Sequence, residues 1–452
     1  MVALRRPWGA LAVLAGLLLA QPASAQIFKP ETFKLDNGMT VVVLPNHRVP
    51  MLTHMVWYKV GSADEEPGHT GLAHMVEHMM FKGTKTVAAG QFSRIVAQNG
   101  GRDNAFTTAD YTAFYQIVAS DKLETVMRLE ADRMANLRLD EKDFQPERQV
   151  VLEERRMRVE NEPASRLDEQ TTAALFLNSP YHHPVIGWDV DIERYRLADV
   201  VDFHTRWYAP NNAILVVSGD ITARQLAPLA RKYYGVLPAR PVPERLRPQE
   251  PAPAAARTVL LRDENVAQPA WSRDYLAPSY RDGDVRHAYP LQILAEIVGG
   301  GTTGRLYTAL VVEQELAADA GVGYDPSRIG PSVFSFGVSP RPGVALDKIE
   351  AAVEGQIAAL LKDGVTADEV ARAKNRLRAS VVYARDSVNV AARILGASLA
   401  SGQTIEDIES WPDRIGAVTV AQVNDAARAV LKPERSVTGR LLPLRDGEGA
   451  SR

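Results

Sequence analysis

A proline-rich stretch near the middle of the chain places the tightest limit on its fold. Residues 238–254, PARPVPERLRPQEPAPA, contain six prolines and almost no large apolar side chain. Proline has a fixed φ and no backbone N–H, so this composition suits a semi-rigid extended linker better than a helix or a strand. The linker leaves a part of about 200 residues on each side, the size of one α/β domain.

The two parts follow a similar plan. Each begins with β-rich segments and then reaches a helix at a similar depth. In the second part this helix reads YPLQILAEIVGGG, strands follow near SVFSFGVSP, and long helices are predicted over about 346–362 and 367–401. We interpret the second part as a diverged copy of the first. It has no histidine after His287, so it does not repeat the histidine motif described below.

The first 25 residues predict a cleaved signal peptide. Arg5 and Arg6 precede an apolar run over 11–20, and the small residues Ala23-Ser24-Ala25 follow. The run is too short to span a bilayer. The predicted divisions are a signal peptide (1–25), a first domain that carries the histidine motif described below (26–237), the linker (238–256), a second domain that does not repeat this motif (257–446) and a tail (447–452).

Charge and cysteine content narrow the function classes. The net charge is -3 for the whole chain. Loss of Arg5 and Arg6 makes it more negative still, which argues against a nucleic-acid binder. The chain has no cysteine, so an exported form depends on core burial instead of disulfides. No segment after the signal peptide is long and apolar enough to cross a membrane. We predict a periplasmic location, given a bacterial source.

The segment GLAHMVEHMMFKGT, residues 71–84, predicts a metal site on a helix. His74 and His78 are four residues apart and therefore share a face, where two imidazoles can bind one zinc ion at about 2.0–2.1 Å. Glu77 lies near the same edge and can act as general base on a zinc-bound water, whose pKa the metal lowers to about 7. A solvated surface helix is the alternative.

A catalytic zinc site needs a third protein ligand, and the segment FQPERQVVLEERRMRVENEP offers candidates. At about 100° per residue, Glu147 and Glu154 share one helix face. Glu153 is rotated by about 100° from Glu154, so only one of the two can face the metal. The periodicity favours Glu154 as the ligand and leaves Glu147 to orient the ligands. The predicted apolar side of this helix consists of Val150, Val151 and Met157.

Together these motifs resemble the M16 family of zinc peptidases, the inverzincins, whose signature is His-x-x-Glu-His. The resemblance covers nearly the whole chain after the signal peptide and includes DNAFTTADYTAFYQ, RQVVLEE, YHHPVIGW, RWYAPNNAILVVSGD and GGGTTGRLY. It implies an α+β fold of two homologous domains, each a mixed, mostly antiparallel sheet packed with helices. It also implies one Zn²⁺ per chain, bound by His74, His78 and Glu154, which follows His78 by 76 residues as in the family.

The resemblance also implies a substrate-binding strand. Asn104 and Ala105 are expected on an edge strand that pairs with the backbone of a peptide substrate, and an ordinary structural strand is the alternative. His182 and His183 are possible extra ligands. A structural turn is favoured for them, because three protein ligands and a water complete tetrahedral zinc.

One family feature is missing from the second part. Fully active members use an arginine and a tyrosine, seven residues apart, to hold the substrate carbonyl. The aligned segment LVVEQELAA has Val311 and Ala318 at these positions. Arg305 and Tyr307 belong to another pattern and do not replace the pair. The chain thus resembles the zinc-carrying subunit of bacterial two-subunit members, which implies a heterodimer with a homologous chain that lacks the zinc motif and supplies the pair.

The predicted function is a zinc-dependent metalloendopeptidase that hydrolyses unstructured peptides, with Glu77 acting first as base and then as acid. The alternative is a non-catalytic peptide-binding or scaffold subunit, although such subunits typically have a damaged metal motif. Processing of one specific peptide is a third possibility.

Overall fold

Two β-sheets organise the computed structural model, which describes residues 27–444. The predicted signal peptide and the predicted tail lie outside the described residues. The strands are β1 Glu31–Lys34, β2 Thr40–Pro45, β3 Met51–Tyr58, β4 Arg102–Thr107, β5 Thr112–Ala119, β6 Ala213–Gly219, β7 Arg257–Asp263, β8 Ala270–Ala277, β9 Ala317–Tyr324, β10 Ser332–Pro340 and β11 Ser436–Pro443.

The two sheets share the connectivity of five strands, and the first sheet has β1 as an additional edge strand. The first has the order β1-β2-β6-β3-β5-β4, and the second has the order β7-β11-β8-β10-β9. In each sheet one pair is parallel, β2 with β6 and β11 with β7, and the other pairs are antiparallel. The predicted α+β class with mixed, mostly antiparallel sheets is confirmed. The predicted domain boundaries stay a prediction.

Helices cover the sheets and fill most of the intervening chain. Apolar residues of β2, β3 and β6 form a core with α1, α3, α7 and α8, and a second core lies between the second sheet and its helices. The helices are α1 Leu72–Met79, α2 Gln91–Gln98, α3 Leu123–Asn136, α4 Glu141–Arg155, α5 Pro163–Leu175, α6 Asp189–Ile192, α7 Leu197–Trp207, α8 Ala223–Tyr233, α9 Ala288–Gly299, α10 Arg305–Tyr307, α11 Leu346–Asp363, α12 Ala367–Asp386, α13 Val388–Ala400, α14 Ile405–Glu409, α15 Trp411–Ala417 and α16 Val420–Val430.

Each half sends one helix onto the sheet of the other half. Helix α5 packs on β11 and β7, and α13 packs on β6 and β3. Gly396 allows the close approach of α13, because a Cβ there would lie 2.0 Å from an indole carbon of Trp57. This reciprocal packing builds one continuous structure from the two repeats.

The proline-rich segment is extended, as predicted, but its arginines are anchored. Arg245 and Arg247 both pair with Asp64, and Arg247 also donates to Asp110 at 2.9 Å. Both aspartates are buried. Glu250 accepts the backbone N–H groups of residues 177–179. The linker is therefore fixed to the first half by charge-assisted hydrogen bonds.

Two sequence expectations are wrong. The predicted helix over 367–401 is broken, because Ser387 is extended (φ -95°, ψ 114°) and its hydroxyl accepts from the N–H of Val390 to begin α13. The break lets α13 leave the second half and pack on the first sheet. On α4, Val151 is fully buried but Val150 is 48% exposed, and Met157, in the π-helical turn Arg156–Glu160 that follows α4, is 57% exposed.

No helix between residues 27 and 444 combines the length and apolar content needed to cross a membrane.

Asp274 on β8 generates a pH-dependent prediction. Burial raises the pKa of its carboxyl to about 6, against a hydrogen bond from Ser335 that lowers it. A folded-state pKa above the unfolded value stabilises the fold at low pH, and this contribution is lost as pH rises from about 4 to about 6. Relative to wild type, Asp274→Asn is expected to raise the free energy of unfolding by about 3 kcal/mol near neutral pH and by less than about 1 kcal/mol near pH 4.

Urea unfolding at both pH values measures this difference. Asp319→Asn is the matched control, because its carboxyl lies on the same sheet but is exposed. An equal gain at both pH values, or an equal gain in the control, would contradict the account.

Candidate metal centre

Helix α1 presents the histidine motif from a tightly fixed position. Its apolar face is buried, and at its start Gly71 adopts φ 91°, where a Cβ would lie 2.5 Å from the carbonyl oxygen of Ile186. The buried carboxylate of Glu65 accepts the N–H groups of Gly71 at 2.8 Å and Ala73 at 2.7 Å. A carboxylate at a helix N-terminus satisfies unpaired N–H groups and complements the helix dipole. The N-terminus of α1, the helix that carries the histidine motif, is therefore held in a fixed position.

Helix α4 carries the glutamates and ends close to the same place. Arg155 is buried and donates to Glu169 and to the carbonyl of Gly187. A π-helical turn, Arg156–Glu160, follows directly. Glu153 is 55% exposed and pairs with Arg156. Of the two adjacent glutamates, only Glu154 faces α1.

Three of the predicted ligands converge. His78 Nε2 lies 3.1 Å and His74 Nε2 lies 3.8 Å from Glu154 Oε2. One ligand atom from each residue lies within 4.8 Å of the other two. Tetrahedral ligands at about 2.0–2.1 Å from zinc are about 3.3 Å apart, and two imidazoles with one carboxylate suit zinc chemically. The residues present therefore fit the metal that the sequence predicts.

A second set of contacts orients His78. Glu147 Oε1 lies 2.8 Å from His78 Nδ1, and Lys82 pairs with the other oxygen of Glu147. When Nδ1–H donates to this carboxylate, the Nε2 lone pair is left for a metal. Arg158 Nη1 lies 2.7 Å from Glu154 Oε1, the oxygen away from the histidines.

Burial and neighbouring charges shift the pKa values of the two imidazoles in opposite directions. Burial lowers the pKa of His78, but hydrogen bonds with Glu147 and Glu154 outweigh it and raise the pKa to about 9. Burial and the charge of His78 lower the pKa of His74 to about 4. Burial raises the pKa of Glu77, against a hydrogen bond from Thr107. The carboxyl of Glu154 has a lowered pKa, chiefly through its hydrogen bond with His78.

The predicted substrate-binding residues line the same cavity as the three candidate metal ligands. Asn104 and Ala105 are on β4, at the edge of the first sheet. The cavity has a volume of about 460 Å³. It is lined by His74, Glu77, His78, Asn104, Ala105, Phe106, Thr107, Glu154, Arg158, Val159, Val185 and Ile186.

His182 and His183 lie outside the cluster. His182 ends a short 3₁₀ turn and contacts the carbonyl oxygen of Ser179 at 2.8 Å, and the buried His183 lies 3.9 Å from Glu65. This placement agrees with the structural turn favoured from the sequence. In the second half, Arg305 pairs with Glu369 instead of facing the cavity.

Sequence reasoning did not single out Lys82, Thr107 or Arg158. Arg158 follows Glu154 by four positions, which is a usable signal for a contact within one helical turn. Lys82 contacts Glu147 on another helix, so its four-residue spacing from His78 does not predict that contact. Thr107 contacts Glu77 from a different element, and no spacing rule points to that contact.

These observations define a class of protein: an α+β chain of two similar halves, with a candidate metal site in the first half whose donors fit zinc. The chain belongs to peptidase family M16. The model for Insulinase (Peptidase family M16) matches residues 40–188, and the model for the Peptidase M16 inactive domain matches residues 195–377.

Known relatives agree with this assignment. The zinc protease PqqE of Helicobacter pylori is 30% identical over 436 residues, 95% of this chain and 97% of that protein. The crystal structure of a protease from Helicobacter pylori superposes with a TM-score of 0.86 at 29% identity, covering 92% of this chain and 100% of that one. The periplasmic protease PqqL from Escherichia coli shares the fold, with a TM-score of 0.78 at 21% identity, and this chain covers 48% of its length.

The geometry predicts which of two adjacent glutamates supports zinc binding. Glu154→Gln is expected to weaken zinc affinity by at least about 100-fold, because loss of a direct ligand costs more than loss of an outer partner. Glu153→Gln is the matched control and is expected to stay within about twofold of wild type. Competition with a chromophoric chelator measures both affinities. Equal losses in the two variants would contradict the assignment.

Proposed function

We propose that this protein is a zinc-dependent endopeptidase that hydrolyses unstructured peptides. One observation carries the proposal: His74, His78 and Glu154 converge within ligand distance of one another, and Glu77 lies in the same cavity. In this proposal the three converging residues hold one Zn²⁺ per chain, and Glu147 orients His78.

The bound ion would polarise the peptide carbonyl and lower the pKa of water at its open position. Glu77 then takes a proton from the attacking water and delivers it to the leaving amine. Its side chain is partly buried and one carboxylate oxygen accepts a hydrogen bond from Thr107, so it has a defined orientation. His74 and His78 have no role in proton transfer in this scheme.

The edge strand supports an extended substrate. A peptide added to β4 at Asn104 and Ala105 would gain main-chain hydrogen bonds that depend little on its sequence. Only a flexible segment can adopt this strand geometry, which favours unstructured peptides over folded proteins.

We further propose a homologous partner subunit. Val311 and Ala318 occupy the positions of the family's arginine and tyrosine, and neither side chain can donate a hydrogen bond to a substrate carbonyl. The chain spans about half of PqqL, which agrees with a second chain completing the same assembly. Export by the predicted signal peptide would place this chain in the periplasm.

The alternative is a non-catalytic peptide-binding subunit. The match of residues 195–377 to the M16 inactive domain favours it. The complete set of His74, Glu77, His78 and Glu154 in the first half favours catalysis, because a binding subunit has no need for a general base beside a metal site.

The Glu77→Gln variant distinguishes the peptidase function from the non-catalytic peptide-binding alternative. The variant keeps the shape of the side chain but cannot accept the proton, so it is expected to retain stoichiometric zinc and to lose peptide turnover by about 100- to 10,000-fold. Metal analysis with a quenched fluorescent peptide library measures both properties, and the exposed Glu153→Gln variant should keep both. Loss of zinc together with turnover, or loss of neither, would contradict the role of Glu77.

The partner proposal predicts copurification. The tagged chain, isolated from the periplasmic fraction of its native host, should bring down a homologous chain that lacks His-x-x-Glu-His but has the arginine and tyrosine. Mixing the two purified chains should raise kcat/KM by at least about 100-fold, the usual effect of restoring one oxyanion donor. Full activity of this chain alone would contradict the partner, and its absence from the periplasmic fraction would contradict export.

A further inference from the structure

Glu77 is held by a residue from outside its own helix. Thr107 Oγ1 donates a hydrogen bond to Glu77 Oε2 at 2.6 Å. Thr107 is the last residue of β4, the strand that carries Asn104 and Ala105, whereas Glu77 lies on α1. One short hydrogen bond therefore joins the edge strand to the carboxylate of Glu77, which lies beside the candidate metal ligands.

The hydroxyl of Thr107 has a fixed position of its own. Across the β4–β5 turn Thr107 pairs in register with Thr112, whose hydroxyl donates to the carbonyl of Val60 at 3.0 Å and lies 3.4 Å from Thr107 Oγ1. Thr112 is fully buried. Within the turn, the N–H of Thr108 donates to the carbonyl of Tyr111 at 2.8 Å. The base of the turn is therefore ordered by its own hydrogen bonds.

The tip of the same turn is anchored by three distant parts of the chain. The buried carboxylate of Asp110 accepts from the Tyr181 hydroxyl at 2.7 Å, from Arg247 at 2.9 Å and from the N–H of Ile329 at 3.1 Å. These donors belong to the first half, the linker and the second half. A buried network with all these partners resists displacement of the turn, and Thr107 enters that turn directly.

We propose that Thr107 is the positioning residue for Glu77 in the reaction proposed above. Its hydroxyl holds one carboxylate oxygen, which leaves the second oxygen to face the cavity and to exchange the proton. Without this hydrogen bond the carboxylate is free to rotate about its last two side-chain bonds, and misplacement by about 1 Å can cost about 100-fold in rate. Because Thr107 ends the proposed substrate strand, the peptide and the base are placed by one element.

Three variants test the proposal. Thr107→Val keeps the shape and removes the donor, so kcat is expected to fall about 10- to 100-fold with KM within about twofold. Thr107→Ser restores the hydroxyl and should recover kcat to within about threefold of wild type. Thr86→Val is the matched control, because it removes another threonine-to-carboxylate hydrogen bond, to Asp132 at 2.8 Å, and neither of these two residues lines the cavity. It should keep kcat within about twofold.

Zinc content and thermal midpoint are measured for every variant. A fall in kcat that follows zinc loss or unfolding, a serine variant as slow as the valine variant, or a valine variant within twofold of wild type would each overturn the role of Thr107.

A double-mutant cycle distinguishes this proposal from the peptidase proposal. It compares the thermal unfolding midpoints of metal-free variants. If the contact exists, Thr107→Val should shift the midpoint in the wild-type background but add little in the Glu77→Ala background. Additive shifts would overturn the contact whether or not any peptide is cleaved. Absence of hydrolysis by wild type, alone and with its partner, together with a non-additive cycle would instead reject the peptidase function and, with it, the catalytic role of Thr107.

Discussion

The approach of α1 to α4 is the constraint on which the candidate site depends. Two imidazoles and two carboxylates, those of Glu147 and Glu154, meet where these helices face each other, and bringing them together removes water from charged groups. The hydrogen bonds that His78 donates to the carboxylates of Glu147 and Glu154 offset part of that cost. Neither helix is free to relax, because Glu65 fixes the start of α1 and Arg155 fixes the end of α4.

The repeated fold explains how one half can carry chemistry while the other half supports it. Both sheets have the same connectivity over five strands, and each receives a helix from the opposite half. The second half lacks the histidine pair, so its contribution is packing, through α13 on the first sheet, and anchoring, through Ile329 at Asp110. The β4–β5 turn connects the second half to the site. Ile329 of the second half contacts Asp110 in this turn, and Thr107, three residues before Asp110, contacts Glu77.

The sequence predicted the local features well because they depend on helix and strand periodicity. The choice of Glu154 over Glu153 followed from a rotation of about 100° per residue, and the structure has Glu153 exposed and Glu154 beside the histidines. The fold class, with two similar halves, followed from the repeated plan and from the family resemblance.

The expectations that failed, and the contacts that went unnoticed, depend on tertiary packing. Nothing in a helical pattern shows that α13 must turn onto the other half's sheet, so the break at Ser387 was missed. Val150 and Met157 have apolar side chains, but about half of each residue is exposed, because apolar character alone does not give burial. The Thr107–Glu77 contact joins a strand to a helix, and its position depends on the anchored turn, which no local spacing encodes.

The central claim is that three side chains from two helices hold one metal ion. Anomalous diffraction at the zinc absorption edge, from crystals of zinc-loaded protein, tests it most directly. The account predicts a single peak in the first half, about 2.0–2.1 Å from Nε2 of His74, Nε2 of His78 and a carboxylate oxygen of Glu154. A peak at His182 and His183, or no peak among these three side chains, would contradict it.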